Sequence, residues 1–204
     1  MEQNNNTKTQ IVFVHGGDSF DTTEEFYEFV RSLKYDPNAI ERNKWRDSIE
    51  DALVETHECI MPRFPNAMNA DYTAWSIWFE KLLPHLRDGV VLVGHSMGGG
   101  FLLRYLTENK LSVAVSQLHL VAGVIDDLDC PGVGEFGVDI TSWTGFTADI
   151  AEVHIWHSTD DTYVPMHHAE RLATKYPQAT THYFTDRGHF LQLEFPELLV
   201  VIKK

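Results

Sequence analysis

The chain has 204 residues, 43% hydrophobic and 12% aromatic, which suits one compact domain with a sizeable core and leaves little room for a second. Its 16 Lys and Arg against 30 Asp and Glu give a net charge of −14, and this acidity argues against sequence-independent binding to nucleic acid or anionic membrane, which needs basic patches. No segment approaches the roughly 18 consecutive apolar residues of a membrane span, and the polar N-terminus does not resemble a signal peptide. We therefore expect a single domain over 1–204, a flexible terminus at 1–9 and a cytoplasmic location.

Short β-rich runs alternate with longer amphipathic runs along the chain. In chain order the pattern predicts a strand at 11–14, helices at 22–33 and 45–54 joined by a connection at 34–43, a strand at 56–61, a helix at 71–86, a strand at 90–93, a helix at 99–109, strands within 113–124 and at 153–156, a helix at 169–176, a strand at 180–184 and a helix at 195–202. This alternation predicts an α/β fold with a mostly parallel sheet of about six strands. The long irregular stretch 126–149 is a candidate lid-like loop over a site.

The segment Gly94-His95-Ser96-Met97-Gly98 follows the clearest strand and opens a helix. A sharp strand-to-helix turn exposes the Ser96 side chain, and glycines two positions away on either side avoid clashes in the strained turn. This placement predicts a nucleophilic serine and an α/β-hydrolase fold, a compact three-layer sandwich without a large cap domain. The segment lacks both the Gly-Lys-Ser/Thr of a Walker motif and a Gly-x-Gly-x-x-Gly register, so nucleotide binding is not favoured.

A nucleophilic serine needs a base, which in this fold follows the serine and the acid along the chain and lies on a loop after a late strand. Most of the 11 histidines fail this test because they precede the serine or the acid, lie within strands, or follow the acid too closely. His189, directly after the last predicted strand, passes it. The acid should lie after the strand at 153–156, where Asp160 and Asp161 are both suitable on chemistry alone.

Two backbone N–H groups are expected to bind the developing oxyanion. Met97 supplies one from the N-terminus of the helix after the serine. The other should come from the loop after the first strand, His15-Gly16-Gly17-Asp18, where we choose Gly17 and keep Asp18 as a substitute.

Several motifs agree with a known family. They are Gly94-His95-Ser96, the run Ser158-Thr159-Asp160-Asp161 continuing to Pro165, Phe184-Thr185-Asp186 with Gly188-His189-Phe190, Glu194-Phe195 and Met61-Pro62. Over nearly its whole length the chain resembles the small serine hydrolases typified by retinoblastoma-binding protein 9 and its bacterial relatives. The resemblance implies that Ser96 is the nucleophile, His189 the base and Asp161, the second Asp of its pair, the acid.

Other residues are candidates for contacts with a substrate. His15 resembles the His-Gly of ordinary esterases, and Trp143 and Phe146 lie in the irregular segment, where they could line an acyl pocket. Trp78 and Phe79 are expected to pack in the core. No cofactor and no metal site are expected, because His154-x-x-His157 spans the end of a strand instead of one helical face.

The residues together predict a serine hydrolase that cleaves a small-molecule carboxylic ester or related acyl bond through an acyl-enzyme. The alternative is a protein that keeps the hydrolase fold and acts mainly by binding a protein partner, which the sequence does not identify. An intact triad argues against this alternative.

Overall fold

The computed structural model describes residues 8–37 and 45–204, and its strands form one sheet. The strands are β1 (Thr9–Val14), β2 (His57–Ile60), β3 (Val90–His95), β4 (Val115–Val121), β5 (Ile150–Ser158) and β6 (Thr180–Phe184). Their order is β2-β1-β3-β4-β5-β6 and every neighbouring pair is parallel. The predicted parallel sheet is confirmed. Parts of the expected flexible terminus and of the connection at 34–43 lie outside the described residues.

Helices cover both faces of the sheet. They are α1 (Thr23–Ser32), α2 (Trp45–Leu53), α3 (Tyr72–Leu82), α4 (Met97–Glu108), α5 (His167–Lys175) and α6 (Pro196–Ile202). The buried residues of α2 and α6 share one hydrophobic cluster, and those of α3, α4 and α5 share another. Within the described ranges, no helix has the length and apolar character needed to cross a membrane.

The alternation of side chains along the strands explains these two clusters. In β1, Ile11 and Phe13 belong to the cluster with α2 and α6, whereas Val12 and Val14 belong to the cluster with α3, α4 and α5. All four are at most 1% exposed. Successive residues of a strand point to opposite faces, so a continuous apolar run is what a strand covered on both faces requires.

Trp78 and helix α1 are more exposed than the apolar pattern of the sequence predicts. Trp78 is 45% exposed, whereas Phe79, the next residue on α3, is fully buried. Both positions fit a helical period, but the buried face of α3 is narrow and excludes Trp78. Helix α1 has an apolar side in sequence yet contains no buried residue, and the ring of Phe20 contacts those of Phe26 and Phe29.

The irregular segment 126–149 is tied to the body of the protein at several points. Asp126 forms an ion pair with Arg171 of α5, and the Val138 N–H donates to the Ile125 carbonyl at 2.7 Å. The segment contains one short 3₁₀ helix, Gly134–Phe136. Its function as a lid stays a prediction.

Phe101 on α4 lies at the centre of an aromatic cluster and is fully buried, with ring contacts to Phe64, Trp75 and Phe79. Truncation to alanine should lower the free energy of unfolding by about 3–5 kcal/mol, because it removes buried apolar surface and leaves a cavity. Urea denaturation measures this change. The control Ile77→Ala, at a position 51% exposed, should stay within about 0.5 kcal/mol of wild type. Equal effects of the two substitutions would contradict the described core.

Three histidines from neighbouring strands lie together on the sheet. His119 stacks on His154 with ring centroids 4.7 Å apart, and His182 stacks on Trp156 at 3.6 Å. The Trp156 indole N–H donates to His119 Nδ1 at 3.1 Å, which therefore carries no proton. Burial, followed by the neighbouring charges of His154 and Lys204, lowers the pKa of His182 to about 4. Burial likewise lowers the pKa of His119 and of His154.

The lowered pKa values of these three histidines predict that acid destabilises the folded protein. Below about pH 6.5 the unfolded chain binds protons at these histidines that the folded chain does not bind, so stability falls as the pH decreases from 7 towards 4. His182→Phe keeps a ring on Trp156 and removes one such site. The loss of stability between pH 7 and pH 5, measured by urea denaturation, should be smaller in this variant than in wild type. His85→Gln, at an exposed histidine, is the control and should reproduce the wild-type loss.

Candidate active site

Ser96 is the residue that joins β3 to α4, since β3 ends at His95 and α4 begins at Met97. Its φ of 56° and ψ of −125° lie outside the strand and helix regions, a conformation that costs a non-glycine residue about 1–3 kcal/mol. The Ser96 N–H donates to the Val121 carbonyl, and the Gly99 N–H donates to the Ser96 carbonyl, both at 2.9 Å. The predicted strand-to-helix turn is present, with backbone strain at the candidate nucleophile.

The two glycines around Ser96 are required by close approaches between backbone segments. A Cβ at Gly98 would lie 2.3 Å from the Val14 carbonyl oxygen and 2.5 Å from that of His15. A Cβ at Gly94 would lie 2.4 Å from the Gly98 carbonyl oxygen. Side chains at these positions would push the start of α4 away from the ends of β1 and β3.

The loop after β1 lies directly beside Ser96. A Cβ at Gly16 would be 3.0 Å from the Ser96 Cβ, and a Cβ at Gly17 would be 2.5 Å from the Ala67 carbonyl oxygen. Met97 is the first residue of α4, so its N–H has no acceptor within the helix and carries the partial positive charge of a helix N-terminus. The two expected oxyanion donors therefore lie on the two segments that meet at Ser96.

Asp18, the substitute donor, has its N–H engaged, because that group donates to the Ala67 carbonyl at 2.9 Å. This bond favours Gly17 over Asp18. The Asp18 side chain is half-buried; burial raises the pKa of its carboxyl group, and its electrostatic interaction with the His189 ring opposes this rise.

The base and acid candidates are hydrogen-bonded. The His189 Nδ1–H donates to Asp161 Oδ2 at 2.9 Å, and the Asp161 side chain is fully buried. The other carboxylate oxygen accepts the N–H groups of Tyr163 at 2.8 Å and Val164 at 3.0 Å. Burial alone would raise the pKa of Asp161, but the hydrogen bond and charge of His189 and the two backbone donors outweigh it and lower the pKa.

Asp160 occupies a different position, although it precedes Asp161 in the chain. Its carboxylate is exposed, and its Oδ1 accepts the Gly188 N–H at 2.9 Å and the Ser158 hydroxyl. Those two hydrogen bonds lower the pKa of Asp160. Of the two aspartates that sequence chemistry left open, Asp161 is the one whose carboxylate is hydrogen-bonded to the His189 ring.

A cleft of about 830 Å³ brings most of the candidate residues together. Its walls include Ser96, His189, Gly17 and Met97, as well as residues 130–133 of the irregular segment. Among the described residues, no group of three or more His, Cys, Asp or Glu side chains is arranged to hold a metal ion.

His15 lines this cleft but is also built into its wall. The Phe64 N–H donates to His15 Nε2 at 2.8 Å, and the His15 Nδ1–H donates to the Gly16 carbonyl at 2.7 Å. The ring also contacts Trp75 edge-on at 5.4 Å. His15 therefore fixes the loop that carries Gly16 and Gly17, and a contact with substrate stays a prediction.

Trp143 and Phe146 are not among the described residues that line the cleft. Trp143 is 5% exposed, its indole N–H donates to the Thr107 hydroxyl at 2.7 Å, and its ring packs with Phe146 and Tyr176. These aromatics fasten the irregular segment to α4 and to Tyr176, the residue after α5, away from the walls of this cleft. A contact of Trp143 or Phe146 with an acyl group stays a prediction.

Sequence reasoning did not single out Tyr163, Phe64 or Cys130, all of which line the cleft. The Tyr163 ring lies 5.0 Å from the His189 ring. Its position two residues after Asp161 was a usable signal, since residues on the acid loop must lie near the base. Phe64 comes from a distant segment and gave no comparable signal, whereas Cys130 lies in the irregular segment 126–149, whose length was its signal.

Comparison with known proteins now identifies the family. The serine hydrolase family model matches residues 38–194. The chain belongs to the serine hydrolase family. This serine hydrolase is similar to the serine hydrolase RBBP9 of Rattus norvegicus, with 28% identity over 148 residues that cover 72% of this chain and 76% of the relative. The resemblance inferred from the motifs is confirmed.

Solved structures resemble the serine hydrolase in fold. The ydeN gene product from B. subtilis superposes with a TM-score of 0.74 and 20% identity, covering 96% of this chain and 97% of that one. Esterase PE8 has a TM-score of 0.62 and 14% identity, with 97% and 92% covered. The predicted α/β-hydrolase fold is confirmed.

The Gly98 contact gives a test of the turn. Gly98→Ala should destabilise the serine hydrolase by at least about 1–3 kcal/mol, because the new Cβ meets two carbonyl oxygens that cannot move without shifting β1. The matched control is Gly137→Ala, where φ is −63° and the nearest atoms to a new Cβ are 3.7 Å away. Thermal unfolding should show a lower midpoint for Gly98→Ala alone. Equal midpoints for the two variants would mean that α4 does not approach β1 so closely.

Proposed function

We propose that the protein hydrolyses small-molecule carboxylic esters or related acyl bonds through a triad of Ser96, His189 and Asp161. The observation that carries the proposal is the 2.9 Å hydrogen bond from His189 Nδ1–H to the buried Asp161 carboxylate, in the same cleft as the strained Ser96. A serine on a turn, a histidine and a buried acid are the parts that acyl transfer requires.

The tautomer of His189 follows from this hydrogen bond. Because Nδ1 carries the proton donated to Asp161, the neutral ring has its lone pair on Nε2. Nε2 then takes the proton of the Ser96 hydroxyl as Oγ bonds to the carbonyl carbon of the substrate. Asp161 holds the ring in this tautomer and stabilises the imidazolium that forms.

As Oγ attacks, the carbonyl π electrons move to the oxygen, and the N–H groups of Gly17 and Met97 bind the resulting oxyanion. Collapse of this intermediate breaks the bond to the leaving alcohol, which receives the proton from His189. Water then attacks the acyl-enzyme, giving its proton to His189, and the acid leaves as Ser96 recovers its hydrogen. No metal or redox step is needed.

The size of the cleft supports a small-molecule substrate. Its volume of about 830 Å³ lies within the range of roughly 300–1,000 Å³ that is usual for small-molecule sites. The cleft offers both apolar walls, such as Phe64 and Val133, and polar ones, such as His15 and Arg63.

A fluorophosphonate probe and a short p-nitrophenyl ester test the proposal. Wild type should be labelled and should turn over the ester, whereas Ser96→Ala should not be labelled and should lose about 10⁴-fold or more in kcat. Ser142→Ala, at an exposed serine outside the cleft walls, is the matched control and should behave as wild type. Equal labelling of wild type and Ser96→Ala would contradict the assignment of Ser96 as the nucleophile. If folded wild type hydrolyses the ester no faster than Ser96→Ala does, the alternative of a protein that acts by binding a partner is favoured.

A further inference from the structure

The loop that carries His189 has a costly backbone conformation. Gly188 and Phe190, on either side of His189, both have positive φ, 50° and 53°. For Phe190, which has a side chain, this conformation is energetically unfavourable. We call residues 187–190 the base loop. Such a loop keeps its shape only where surrounding groups hold it.

Two side chains from the end of β5 and the turn after it hold the first half of the base loop. The Arg187 N–H donates to the Ser158 hydroxyl oxygen at 3.1 Å. The Gly188 N–H donates to Asp160 Oδ1 at 2.9 Å. The Ser158 hydroxyl also donates to Asp160, so the two side chains that accept these N–H groups are hydrogen-bonded to each other.

Two further side chains hold the second half of the base loop. The His95 Nε2–H donates to the His189 carbonyl at 2.8 Å, and the Trp45 indole N–H donates to the Phe190 carbonyl at 2.8 Å. The rings of His95 and His189 have centroids 4.9 Å apart, and Trp45 contacts His95 edge-on. Four consecutive residues are therefore each fixed at a backbone atom by a side chain from elsewhere.

We propose that His95 and Asp160 are positioning residues that aim the His189 ring between the nucleophile and the acid. The inference rests on the proposed function of Ser96, His189 and Asp161. His95 immediately precedes Ser96, and Asp160 immediately precedes Asp161. The base loop is thus hydrogen-bonded to the residue before Ser96 and to the residue before Asp161.

This arrangement fixes the relative positions of the three reacting side chains through main-chain bonds. The His95 bond relates the His189 backbone to Ser96, and the Asp160 bond relates it to Asp161. Loss of either bond lets the base loop relax from its strained conformation without removing any reacting group. A displacement of about 1 Å between reacting groups can reduce the rate about 100-fold.

Paired substitutions test the role of each bond. His95→Phe keeps a ring against Trp45 but loses the N–H, whereas His95→Gln keeps a donor near the Nε2 position. Asp160→Ala loses the acceptor, whereas Asp160→Asn keeps Oδ1. The control Asp139→Ala removes an exposed carboxylate that accepts comparable hydrogen bonds from Thr141 and Ser142, far from the base loop in sequence and outside the cleft walls.

The assay is hydrolysis of a short p-nitrophenyl ester, with kcat expressed per Ser96 labelled at completion by fluorophosphonate, so that unfolded protein is not counted. We expect kcat to fall about 10- to 100-fold in His95→Phe and Asp160→Ala with KM within about 3-fold of wild type. The Gln and Asn variants should recover most of that loss, and Asp139→Ala should match wild type.

Other results would overturn the inference. If wild type is active and the Phe and Ala variants keep wild-type kcat, or if Gln and Asn lose as much kcat as Phe and Ala, the two residues do not position the base. A fall in the unfolding midpoint alone, with kcat unchanged, would assign them a structural role only. If wild type is no more active than Ser96→Ala, the proposed function fails and this inference falls with it.

Discussion

The close approach of α4 to the carboxyl ends of β1 and β3 is the constraint on which the site depends. At Gly98 the backbone of α4 lies so near the Val14 and His15 carbonyls that any side chain would overlap them. This approach places the first N–H of α4 beside the loop of Gly16 and Gly17. It also forces the chain to reverse at Ser96, which fixes the positive φ there. The strain at Ser96 follows from sheet and helix packing.

A second constraint is the burial of the Asp161 carboxylate. Two histidines lie near it, His189 at 2.9 Å and His157 at 3.9 Å. His157 is completely buried, and burial lowers its pKa, so it stays neutral, with its Nε2–H donating to the Val164 carbonyl at 2.8 Å. Because His157 is thus occupied and uncharged, Asp161 is left to pair with His189, the ring that faces the cleft.

How far the sequence could predict this site depends on which interactions are local. The order of Ser96, an acid and His189 along the chain was sufficient to single out two candidate residues that line one cleft, because parallel strands end at one edge of the sheet. Chemistry alone could not separate the adjacent aspartates, since only tertiary structure decides which one points to His189. The family resemblance implied Asp161, the aspartate that is hydrogen-bonded to His189. The surroundings of Trp143 could not be predicted for the same reason: an aromatic residue in an irregular segment can face a cleft or anchor the segment, and the bond to Thr107 is long-range.

The two strained positions of the site are stabilised by different means. At Ser96 the strain is offset by the packing of α4 on the sheet, which involves many buried residues of the hydrophobic core. At Phe190 a buried ring and single side-chain hydrogen bonds to the base loop offset it. Packing is shared among many contacts, whereas a single bond is lost with one substitution. The orientation of His189 is therefore more sensitive than that of Ser96 to substitution of single residues outside the proposed triad.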